Sequence, residues 1–105
     1  MANIIPFAFR GELFSGTHNF ASGGDAFKIA LYTANPYTTA STVVCATSEV
    51  SSAGSSNYTR KSLGSQAVAS STAVASVDFA DSTWSSATFT AAFAAIYNDD
   101  KSDKL

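Results

Sequence analysis

Between Ala26 and Tyr37 the chain reads Ala-Phe-Lys-Ile-Ala-Leu-Tyr-Thr-Ala-Asn-Pro-Tyr, with Phe27, Ile29 and Leu31 alternating against Lys28, Ala30 and Tyr32. A period of two sends successive side chains to opposite faces of an extended strand, so the bulky apolar residues share one face. Asn35-Pro36 ends the run, because proline has no N–H and drives its predecessor into an extended or turn conformation. The pattern predicts a strand at the centre of a sheet.

A second alternating stretch covers Ala87–Asn98, where Phe89, Ala91, Phe93 and Ala95 are set against Thr88, Thr90, Ala92 and Ala94. Phe89, Phe93 and Tyr97 also fall four apart, as an alanine-rich helix over Thr90–Tyr97 would place them. The Thr-Phe-Thr entry and the β-rich surroundings favour a strand. Pro6–Phe14 reads as a short helix with Pro6 at its first position, Phe9, Leu13 and Phe14 on one side, and Gly16 as its stop. Thr17–Asp25, containing Gly23-Gly24, is a turn into the main strand.

Tyr37–Ala46 suits either an extended edge segment or an ordered loop across the sheet, and Glu49–Asn57 has the composition of an exposed loop around Gly54. Tyr58–Leu63 predicts a short strand. Ala67–Ala80 predicts one longer strand or a broken pair, with Val77 and Phe79 facing one way and Asp78 the other. Asp99–Leu105 closes as a polar turn and leaves a strand edge uncovered, an association hazard unless protein lies against it. The expectation is a mainly β domain over residues 1–105, a small antiparallel β-sandwich or barrel-like sheet with one short N-terminal helix. An N-terminal arm of about residues 1–9 and a polar tail of about residues 99–105 flank it.

Composition thins the expected core. Hydrophobic residues reach 46%, but Ala, Ser and Thr make up 47 of the 105 residues, so eight Phe, four Tyr and one Trp must supply much of the buried area. A domain of this size buries only about two-thirds of its unfolded surface. Association with copies of itself or with a larger surface would supply what the core lacks. Charged residues are 13% with a net charge of -2, which gives no basic footprint for nucleic acid and no polybasic membrane signal. The single Cys45, in the run Val43-Val44-Cys45-Ala46, cannot form an internal disulfide and reads as a buried thiol. No cationic leader precedes an apolar stretch, and no apolar run approaches the ~20 residues of a membrane-spanning helix, so a soluble chain made in the cytoplasm is expected.

Candidate chemistry is sparse. His18 is the one histidine, and neither a nucleophile elbow nor a positioned acid accompanies it, so no catalytic residue is assigned and His18 is expected to hydrogen-bond within the loop after the helix. Asn98, Asp100 and Ser102, with Asp99 and Asp103 beside them, offer oxygens to a calcium ion but lack the glycine and bidentate glutamate of an EF-hand. No metal and no cofactor are assigned. Asp78 and Asp81 flank Phe79, and Asp81 is expected to open a turn that aims Trp84, whose indole N–H needs a partner. Asn57-Tyr58-Thr59 matches a glycosylation acceptor without a secretory signal, and Gly23-Gly24 lacks the lysine and helix of a phosphate cradle. Tyr32, Tyr37, Tyr58 and Tyr97 suit either the core or an exposed interface.

Several segments together resemble small virion proteins of tailed bacteriophages, particularly aquatic ones. They are Asn3-Ile4-Ile5-Pro6, Phe27 through Thr33, Asn57-Tyr58-Thr59, Asp78 through Ser85, and Ile96-Tyr97-Asn98. The resemblance implies a structural role, most readily a capsid decoration (cement) protein on the virion surface that binds the major capsid protein and ties its subunits together. Clustering of copies, with a trimer at a three-fold position, follows from shell geometry. Relatives commonly carry glycines where Arg60-Lys61 stand here, and they usually continue past the Tyr-Asn pair, which implies that a closing strand is either missing or supplied in trans. The expected contact residues are Ile4, Ile5, Phe7 and Phe9 of the arm, together with Tyr37, Tyr97 and Leu105. The alternative is a tail or fibre module that recognises host glycan through exposed tyrosines and the Ser-rich loop at Gly54. A small hydrolase, the third reading, would need His18.

Overall fold

The structure, a computed structural model, describes residues 3–105, so Met1 and Ala2 of the expected arm lie outside the described residues. Strand β1 (Phe27–Tyr32) lies at the centre of a three-stranded antiparallel sheet, between β2 (Lys61–Leu63) and β5 (Phe93–Asn98). Phe27 opposes Leu63 on one side and Asn98 on the other, and the β1–β5 register runs to Tyr32 against Phe93. Strands β3 (Ala67–Ser70) and β4 (Ala75–Asp78) form a separate antiparallel ribbon, every residue of which is exposed. The stretch Ala67–Ala80 is thus a broken pair. With its single short helix α1 (Phe7–Phe14), the chain is mainly β.

Burial within β1 departs from the simple alternation. Phe27 is buried as expected, but Ile29 and Leu31 are only half-buried, while Ala30 and Tyr32 on the opposite face are fully enclosed. Ala30 and Tyr32 pack with Ala95 and Tyr97 of β5, and Tyr37, Val44, Phe93 and Leu105 close over them. Small residues beside large rings let the two strands interdigitate. On the other face Phe27 stacks on Phe20 with ring centroids 4.3 Å apart, and Phe79 lies 6.0 Å away. Both faces are therefore covered, each by aromatic rings.

Helix α1 buries less than its pattern suggests. Pro6 precedes its first residue as the cap, and no helix residue is fully buried. Phe9 packs against His18, but Leu13 is half-exposed and Phe14 is 94% exposed, so they do not share the inner side with Phe9. Gly16 ends the helix with φ +71°, a left-handed conformation that glycine adopts without the Cβ penalty. Residues 87–92, expected within the second strand, lie outside it; Phe89 packs instead edge-on to Tyr58 and Trp84.

The loops are pinned by backbone hydrogen bonds. Tyr37–Ala46 is an ordered loop that meets the C-terminal segment, with Val44 N–H bonding to Asp103 O and Leu105 N–H to Thr42 O. Glu49–Asn57 is not simply exposed: Val50 N–H bonds to Leu31 O at 3.0 Å, and Val50 and Ser56 are buried. Cys45 is half-buried rather than enclosed. Replacing Phe27 with alanine should cost about 3–5 kcal/mol by the usual penalty for an emptied aromatic site. Phe14→Ala, at a solvated position, should stay within about 0.5 kcal/mol. Urea denaturation of the two variants measures both, and similar losses would contradict this core assignment.

Candidate interaction surface

An apolar groove of about 550 Å³ runs along the outer edge of β5. Ala94, Ala95 and Ile96 form its floor. Phe9, Phe20, Val77 and Phe79 supply one wall, and the Phe20 stack on Phe27 fixes that wall on the Phe27 face of the sheet. Tyr37 and Leu105, from the opposite, tyrosine-lined face, supply the other wall. Ile4, Ile5 and Pro6 lie along it. None of its lining side chains is charged.

Five of the seven contact residues expected from sequence, Ile4, Ile5, Phe9, Tyr37 and Leu105, meet at this groove although they lie far apart in the chain. Phe7 does not: it is 61% exposed and holds the Arg10 guanidinium 5.3 Å from its ring centroid. Tyr97 is corrected to a core residue, because it is 3% exposed and its ring packs in the tyrosine cluster beneath the Arg60 guanidinium. Sequence reasoning missed Phe20, Val77 and Phe79. Phe20 sits in a stretch whose glycines and small polar residues read only as a turn, and the placement of Val77 and Phe79 at the groove depends on where the end of the β3–β4 ribbon comes to lie.

Two polar networks tie the elements of the fold together, the first of them behind the Phe9 wall. His18, its side chain fully enclosed, holds Glu12 Oε2 2.6 Å from Nε2, while Asn98 Nδ2 donates to Nδ1 at 2.9 Å. Because Nδ1 accepts, the ring proton sits on Nε2 and is donated to Glu12. Asn98 also donates to Asp25 Oδ2, and Lys104 Nζ donates to Glu12 Oε1 at 2.7 Å. Both ring nitrogens are thus engaged across the fold, from α1 to the end of β5, rather than within the loop alone. His18 presents no free nitrogen to a substrate. In the second network the Arg60 guanidinium grips both oxygens of Glu49 at 2.8 Å, and Tyr58 Oη donates to Glu49 Oε1 while accepting from Leu31 N–H.

Electrostatics follow this geometry. Burial alone would raise Glu12, but bonds from Lys104 and His18 outweigh it and hold the carboxyl below the usual range. Asp25 is likewise lowered against its burial, by Asn19 N–H and the Asn98 amide. For Glu49 the Arg60 bond dominates and lowers it. Burial pushes Tyr58 up to about 12.

The carboxylates considered for calcium serve local structure: Asp100 Oδ2 accepts from Ala26 N–H, and Asp99 lies 3.3 Å from Lys28 Nζ. Among the described residues no group of three or more His, Cys, Asp or Glu side chains is arranged to hold a metal ion. Asp81 makes no side-chain bond among those described; Trp84 is aimed instead by its indole N–H, which donates to Thr59 O at 2.7 Å. No protein family, curated protein or solved structure matches the chain.

Lowered carboxyl groups stabilise the fold above their ordinary values of 3.8 to 4.5, and that stability is lost as pH falls through the depressed folded values. The urea midpoint should therefore hold steady near neutrality and drop below about pH 4.5, with a shallower drop in Glu12→Gln. A midpoint that rises on acidification would contradict the networks. Asn98→Ala should cost about 2–3 kcal/mol at neutral pH, since it strips a donor from both His18 and Asp25. Chemical denaturation checks the loss, and a neutral result would remove Asn98 as the anchor.

Proposed function

We propose that this protein is a structural component of a virus particle, a capsid decoration protein that stabilises the shell by binding across neighbouring capsid subunits. The observation that carries the reading is the uncharged groove at the edge of β5, where Ile4, Ile5, Phe9, Tyr37 and Leu105 converge. Contiguous exposed apolar surface of this kind marks a site of association. The sequence resemblance supplies the setting, a phage capsid, and the major capsid protein as partner.

The mechanism is burial without turnover. Each copy hides apolar surface at a junction between subunits, and repetition over the shell multiplies a small gain per site. The thin core fits such a role, because a bound neighbour stabilises whatever folded state it selects. Copies grouped as trimers would match a three-fold position on the shell. Recognition of host glycan by a tail or fibre draws less support, since Tyr32, Tyr58 and Tyr97 are buried and Tyr37 is half-buried in the groove wall.

Quantitative mass spectrometry of purified particles tests the proposal. A ratio to the major capsid protein of about one to one, or about one to three, is expected for symmetric occupation of the shell. A few copies per hundred capsid subunits would move the protein to a tail or fibre, and its absence from particles would discard a virion role.

A further inference from the structure

The groove lies beyond the strand, in the plane of the sheet. Its walls come from opposite faces of the sheet, and its floor is the outer edge of β5. In an antiparallel ladder the backbone groups of alternate residues point to alternate sides. Asp99 N–H bonds to Ala26 O at 2.9 Å, which places Phe93, Ala95 and Tyr97 with their backbone groups toward β1. Ala94, Ile96 and Asn98 therefore point outward. Asn98 already has a partner there, its N–H bonding to Lys104 O at 2.7 Å. Among the described residues no segment pairs with the outer side of Ala94 and Ile96.

We infer that this slot accepts an extended, uncharged segment of a partner protein, which adds to the sheet as a fourth strand beside β5. The hydrogen-bonding pattern requires a strand, because only an extended backbone can exchange N–H···O bonds with Ala94 and Ile96 two residues apart. Within β5 the floor from Phe93 to Ile96 spans about 10 Å at ~3.4 Å per residue, enough for four partner residues. Their side chains alternate between the two walls. Both walls are apolar, Phe20, Val77 and Phe79 on one side and Tyr37 and Leu105 on the other, so both sets of partner side chains are apolar or small.

Charge narrows the occupant further. The chain carries six basic and eight acidic residues, and none of them lines the slot. A charged partner residue would be desolvated there with nothing to pair with. A second copy presents its own β5 only with Phe20, Val77, Phe79, Tyr37 and Leu105 beside it, whereas a free segment brings no such walls into the slot. The inference rests on the decoration reading only for the partner's setting on a capsid; the slot itself is tested separately.

The test uses the full chain, labelled with nitrogen-15, and the end-blocked peptide Lys-Val-Ala-Val-Ala-Val-Lys, with the variant carrying proline at its central valine as control. The expected result is slowed hydrogen exchange at the amides of Ala94 and Ile96, by about tenfold or more at saturating peptide. Shift changes should be confined to the slot, with no effect of the proline peptide. Ala94→Pro removes an outward-facing donor that β1 does not use, and Ala94→Lys puts a charge on the floor; each should abolish the protection. Ala94 is exposed, so the lysine variant carries the test if the proline variant does not fold. Unchanged exchange, or protection elsewhere, would overturn the slot. Protection that appears without peptide as protein concentration rises would assign the slot to a second copy and overturn the partner segment. Protection by the peptide upholds the slot even if purified particles prove to lack the protein, so the two proposals fail separately.

Discussion

The fold depends on satisfying the hydroxyl groups of its buried tyrosines. With so much of the chain given to alanine, serine and threonine, tyrosine rings fill the space around β1, and each brings a polar atom inside that must find a partner. The partners come from the loops. Tyr32 Oη donates to Cys45 O, Cys45 N–H donates to Tyr37 Oη, and the two tyrosine hydroxyls bond to each other, closing a ring that fixes Tyr37–Ala46 over the sheet. Tyr58 Oη joins the backbone of β1 to Glu49 in the same way. The side chains that make the core also hold the loops, and no buried side-chain nitrogen or oxygen among the described residues lacks a partner.

These ties determine where the surface stays open. His18, Glu12 and Asn98 fasten α1 to the end of β5, and the helix brings Phe9 to one wall of the groove. The tyrosine ring sets Tyr37 in the other wall, and the bond from Leu105 N–H to Thr42 O seats Leu105 beside it. Each wall is thus held by polar contacts buried elsewhere. The groove is a preformed feature, which lowers the ordering entropy that a partner must overcome.

The β1 strand, its central place and the short helix were legible from periodicity and a few Gly and Pro positions. The buried face of β1 was less so, because alternation separates two faces without saying which is more deeply covered. That depended on Ala95 and Tyr97 arriving from β5, more than sixty residues away. Four groove residues were reached from the sequence through the arm and the chain's last residue, and Tyr37 as one of the tyrosines, whereas Tyr97 was misplaced because its period is the same whether it packs inward or faces a partner. Glu49 and Arg60 look like ordinary surface charges in sequence. Only the fold shows them gripping each other beside Tyr58.

The edge of β5 carries neither a charge nor a proline among its side chains. Charged side chains, prolines, bulges or a covering segment blunt such edges against stray pairing. The segment Ala91-Ala92-Phe93-Ala94-Ala95-Ile96 contains neither a charge nor a proline, and Lys104 covers the edge only at Asn98. The opposite edge of the sheet is treated differently: Lys61 lies on β2, and Val50 and the Tyr58 hydroxyl take up the backbone groups of Leu31 beyond the end of β2. One side of the sheet thus carries a charged residue on its edge strand and covered backbone beside it, while the other is apolar and unpaired between two walls. Negligent protection would leave both edges bare. An edge left open on one side alone, and shaped into a slot, is better explained as a place kept for a strand from outside.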